Sequence, residues 1–211
     1  MRGLTAVTLS PVLAGLGLGL ALAGAPGPVQ AVLLAEAVRG GIGRGFRAMV
    51  GASLTFGVLL FALALGLSVA APSEPVLRLL KVAGGALLIW LAIDGLRTGH
   101  EVDPARAGRR TLHPTLRGSL AIVLNPGAWL FLGTAASSLF AAATEEAGTA
   151  GALLAAVALM LGLAVGDGAV VLIGGLGLRR ANERIGLWVR RVLAVILAGL
   201  GVWLIVDGVI G

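Results

Sequence analysis

The chain has 211 residues, of which 58% are hydrophobic and 12% charged. That charged fraction is about half of a soluble domain's, and the absence of Cys excludes disulfides and thiolate metal sites. The formal net charge of +6 comes from Arg residues in short segments between apolar runs, where the lone Phe46 and Trp188 do not make a basic patch interleaved with aromatics for base stacking. The excess therefore speaks for membrane orientation and against nucleic acid.

Six apolar runs are each long enough for a hydrocarbon core of about 30 Å, which takes roughly 20 helical residues. They cover about 5–26, 46–70, 75–96, 118–141, 149–177 and 189–209. The expected fold is all-α: a polytopic membrane protein of six transmembrane helices in two inverted three-helix repeats, with the first and fourth helices broken. One membrane domain, 1–211, is expected. Repeat one covers about 5–97, a cytoplasmic linker about 98–117, and repeat two about 118–211.

The first span runs into Pro26-Gly27-Pro28. Each Pro removes a backbone N–H, and Gly27 tolerates any φ, so a helix cannot pass unbroken. In hydrocarbon such a break survives only against protein or a water-filled cavity. Gln30 follows the break, then an apolar arm that carries Glu36, then the Gly- and Arg-rich run from Arg39 to Arg47. Met1-Arg2, an apolar run and Ala23-Gly24-Ala25 also fit a cleaved signal peptide. Loop charge argues against cleavage. With six spans, Arg39, Arg44 and Arg47, the cations from Arg97 to Arg117, and those from Arg179 to Arg191 share one face. That face is then cytoplasmic and both termini are external.

The second span carries Gly51 and Gly57, with Ser53 and Thr55 as polar atoms. The third begins at Pro75, with Arg78 and Lys81 placed to reach outward. The linker holds His100, Glu101, Asp103 and His113. Their spacing matches no zinc pattern, and the neighbouring Arg residues oppose a dication. The fourth span opens at Arg117-Gly118 and meets a second break at Asn125-Pro126-Gly127. The fifth carries Gly162 and Gly166, followed at once by Asp167.

Trp90-Leu91-Ala92-Ile93-Asp94-Gly95 ends the third span, and Trp203-Leu204-Ile205-Val206-Asp207-Gly208 ends the sixth. Both halves open on a Pro-Gly break, and three spans per half is odd, so the halves insert in opposite directions. Inverted repeats with broken helices are typical of secondary transporters.

Asp167 lies well inside its span with no cation within a turn. A carboxylate there is costly unless hydrated, paired or protonated, which makes it a candidate for proton or charge coupling or a structural hydrogen bond. Glu36 is the second such candidate, although Arg39 at i+3 offers a plain helical ion pair. Asp94, with Arg97 at i+3, and Asp207 read as interfacial. Gln30 is placed either to contact a polar substrate or to satisfy carbonyls freed by the break. Gly41-Ile42-Gly43-Arg44-Gly45 lacks the Lys-Ser/Thr of a phosphate loop, so any transport is gradient-driven or passive.

Taken together these motifs resemble the LysE/RhtB family of amino-acid exporters. The likeness is carried by Pro26-Gly27-Pro28, the Arg39 to Gly45 run, Leu80-Lys81-Val82-Ala83-Gly84-Gly85, Arg117-Gly118, Leu124-Asn125-Pro126 and Asp167. Gly127 departs from the Lys usual after Asn-Pro in that family, and Ser53, Thr55 and Phe56 stand where acidic or His residues are common. The resemblance implies export of amino acids or similar small polar metabolites across a bacterial cytoplasmic (inner) membrane. Pro26, Gly27, Pro28, Gln30, Asn125, Pro126 and Gly127 are then the candidate substrate-binding residues, and Asp167 and Glu36 the coupling residues. No catalytic residue, metal or cofactor is expected. The expected partners are a small-molecule substrate and the lipid bilayer, with homo-oligomerisation left open. The competing readings are a non-transporting membrane assembly or lipid-addressing factor, and a metal-ion exporter of the same superfamily.

Overall fold

The computed structural model describes residues 9–25, 27–67, 72–97, 112–179 and 183–210. Pro26, the linker residues His100, Glu101 and Asp103, and both chain ends lie outside the described residues. Within them the protein is all-α, as expected. The helices are α1 (Leu9–Gly24), α2 (Pro28–Gly40), α3 (Ile42–Ala64), α4 (Glu74–Arg97), α5 (Pro114–Val123), α6 (Pro126–Phe131), α7 (Ser137–Arg179) and α8 (Glu183–Ile210). A π-helical turn, Leu132–Ala136, joins α6 to α7.

Among the described residues four stretches are long and apolar enough to cross a membrane: Ile42–Ala64, Glu74–Leu96, Pro126–Gly177 and Gly186–Ile210. A fifth is the pair α1 and α2, bent by 64°. Pro126–Gly177 is not one straight rod. Inside α7, Ala147 (φ −143°, ψ 20°) and Gly148 (φ 63°, ψ −163°) leave helical geometry. Gly148 takes the left-handed φ that only glycine adopts freely.

Several expected boundaries move. The first apolar run does not end at its break. The helix resumes at Pro28, because a proline at the first helical position gives up an N–H that had no partner anyway. Gly27 is extended (φ −156°, ψ −179°), and its carbonyl accepts from Ala31 N at 3.0 Å. The Gly-Arg run is not a loop either. Gly41, at φ 77°, turns the chain between α2 and α3, and α3 starts at Ile42 and stops at Ala64. The fourth unit starts at Pro114, inside the expected linker, and α8 begins at Glu183.

The helices approach at backbone distance where glycines face carbonyls. A Cβ on Gly19 would strike the Leu159 carbonyl, and one on Gly162 the Leu16 carbonyl, so α1 lies tight against α7. Gly51 and Gly118 do the same between α3 and α5, against Thr115 and Ala48. Gly85 and Gly201 face each other's carbonyls between α4 and α8. Close packing of small residues is how helices associate where lipid offers no hydrophobic driving force.

Candidate functional site

Both breaks open onto one cavity of about 200 Å³. Gly27, Pro28 and Gln30 line it from the first break, and Asn125 and Gly127 from the second. Asp167 closes it from α7, and Phe56, Ile122, Met160 and Leu163 supply apolar wall. Ser53, noted in the sequence as a polar atom of its span, also lines it. Pro126 is buried behind the lining as the first residue of α6. The expected binding residues that lie within the described chain thus converge, apart from Pro126, although about 95 positions separate the two groups.

Local chemistry explains each position. Asn125 is the N-cap of α6: its Oδ1 accepts from Gly127 N at 3.0 Å. It therefore satisfies one of the amides that a helix start leaves without a partner. Gln30 Nε2 donates to Asp167 Oδ1 at 3.4 Å and reaches the Leu22 carbonyl at 3.5 Å. Gln30 thus reaches a carbonyl near the end of α1 while lining the cavity. Asp167 is 4% exposed, and no cation is among the cavity's lining residues.

Glu36 is not at this cavity. It is buried in an ion-pair network with α3, α4 and α5. Its carboxylate takes Arg44 Nε at 2.5 Å and Arg117 Nη1 at 2.9 Å, while the expected i+3 partner Arg39 is farther, at 3.7 Å. Asp94 accepts from Arg117 Nη2 at 2.5 Å and from Arg39 Nη1 at 2.7 Å. It belongs to this network, and the side chain of Arg97 lies outside the described residues. Arg117 is fully buried; its Nε donates to the Leu112 carbonyl and its guanidinium stacks 5.0 Å from the Trp90 ring. Removing one member of such a buried pair leaves an uncompensated charge and costs about 3–5 kcal/mol. Sequence reasoning missed Arg117. The signal was its position, directly before an apolar run and beside Gly118, where a loop arginine has no need to be.

Membrane-length helices, two of them broken around a largely apolar cavity that Gln30, Asn125 and Asp167 also line, define an all-α polytopic membrane protein. The chain belongs to the LysE type translocator family, which matches residues 20–208. An uncharacterized membrane protein of Pseudomonas aeruginosa is 34% identical to it over 114 residues. That match spans about half of either protein, 50% of this chain and 53% of the relative. No solved structure matches.

Proposed function

We propose that the protein is a secondary exporter of amino acids or similar small polar metabolites, driven by a gradient across the bacterial inner membrane. The observation that carries this reading is the convergence of both helix breaks and Asp167 on one cavity. Its volume is about 200 Å³. It is smaller than the usual drug-sized site of about 300–1,000 Å³. A pocket of that size accommodates an amino acid.

The chemistry suits one as well. Asp167 offers a carboxylate to an amine, or to a proton. The start of α2 offers amides to a carboxylate, because helix N-termini carry partial positive charge. Phe56, Met160 and Leu163 accept an apolar side chain.

The account uses six spans in two inverted repeats within one membrane domain. The kink at Ala147 and Gly148 would separate the fourth span from the fifth. The pairing supports the repeat: α1 against α7 and α3 against α5 are interchanged by exchanging the halves, and α4 against α8 maps onto itself. The cationic loops put both termini outside.

The experiment is efflux from cells preloaded with a panel of amino acids, dipeptides and metal salts, with and without the gene. Faster loss of one or more amino acids supports the reading. Faster loss of metal ions alone, or of nothing, removes it.

A further inference from the structure

We infer that the Glu36–Arg39–Arg44–Asp94–Arg117 network is a gate: an ion-pair latch that closes the cavity on its Arg-rich side and must part for the substrate to enter. The inference rests on the transporter reading above and names how its cavity is reached.

The latch holds the far ends of the pieces that line the cavity. α2 starts on the cavity wall at Pro28 and Gln30 and reaches the latch at Glu36 and Arg39. α5 starts at the latch with Arg117 and reaches the wall at Ile122. α3 starts there with Arg44 and reaches the wall at Ser53 and Phe56. At about 1.5 Å of rise per residue, these separations put the latch roughly 8–14 Å from the cavity, on one side only. α4 joins through Asp94 without lining the cavity.

The opposite side is built differently. Beyond the cavity, α3 continues with buried Leu60 and Ala64, and the fourth unit continues with buried Leu132, Ala136 and Phe140. The described residues beyond the cavity are thus apolar on this side, whereas those on the other side are charged and paired. Stability alone does not account for that choice. Well-packed hydrophobic residues usually match or exceed a buried ion pair in stability, and a switch or register role is the best-attested use of such pairs. The partners are also shared: among the described residues Glu36 is contacted by three guanidiniums and Asp94 by at least two. One contact can open while the carboxylate keeps another, so the latch can part in steps without leaving a bare charge.

The chain has no Cys, so Ser53→Cys places a single thiol on the cavity wall. Its modification by a membrane-impermeant maleimide is measured in inside-out and right-side-out vesicles and normalised to total thiol in SDS. Arg39→Gln and Asp94→Asn each remove latch contacts while keeping shape. Arg44→Gln, at the 26% exposed rim, serves where the deeper changes lower abundance. Arg47→Gln is the control, because Arg47 is exposed and, among the described residues, bonds only the Gly43 carbonyl. The latch variants should label about tenfold faster from the cytoplasmic face, equivalent to about 1.4 kcal/mol, with the control and the external face unchanged. Unchanged labelling in the latch variants, or a rise equal from both faces, would overturn the gate. Because the readout is access and not transport, a wrong substrate class leaves this result intact.

Discussion

Asn125 stands at the second break with two jobs that can be pulled apart. Its Oδ1 caps α6 through Gly127 N, so its acceptor is committed to the fold. Its Nδ2 has no partner among the described residues and is the part available to a ligand in the cavity it lines. Asn125→Ala removes both, while Asn125→Ser restores a capping oxygen without the amide. Loss of an N-cap costs about 1 kcal/mol, within a range of about 0.5–2. Loss of a buried polar contact to a ligand costs about 1–3 kcal/mol, or roughly ten- to a hundredfold in affinity. Ala should therefore lower the unfolding free energy of the detergent-solubilised protein by about 1 kcal/mol and raise the efflux KM at least about tenfold. Ser should recover most of the stability and none of the KM. Chemical unfolding in detergent and efflux from preloaded cells read the two effects separately. Full recovery of KM by Ser would leave Asn125 as a cap alone, and undiminished stability in Ala would refute the capping assignment.

Two further outcomes follow from packing and charge. Gly51→Ala drives a Cβ into the Thr115 backbone carbonyl, whereas Gly17→Ala meets open space. The first should cost about 1–3 kcal/mol and the second should be neutral or stabilising by up to about 1 kcal/mol. Equal effects in the same unfolding assay would contradict the close α3–α5 approach. A reporter active only in the cytoplasm should work when inserted near Gly108 and be silent when fused after Gly211. Activity at Gly211 would reverse the orientation.

Much of the site was readable because backbone chemistry is local. Pro28 and Pro126 announce breaks wherever they sit, and Asp167 is conspicuous in an apolar run. What the sequence could not carry was where each break falls along its helix. Apolar length marks a span but not a bend inside it, so the first span is drawn to end near Pro26 and α2 reads as an apolar arm beyond the break rather than as its second limb. Nor could spacing pair Glu36 with Arg117, 81 positions apart. The nearby Arg39 offered a sufficient local partner, and the stronger contacts depend on α5 packing against α2. Asp94 was placed at an interface for the same reason, since Arg97 was close in sequence and Arg39 was not.

The central claim is that the cavity couples a gradient to export through Asp167. Asp167→Asn keeps the side-chain shape and the neighbour Gln30, but it can carry neither a proton nor a charge. A neutral amide is also cheaper to hold at membrane depth than a carboxylate, so the variant should insert normally. Efflux of the identified substrate from preloaded cells, at matched membrane abundance, should lose its dependence on the imposed gradient and fall to the level of cells without the gene. Gradient-driven efflux at the wild-type rate from Asp167→Asn would contradict the account.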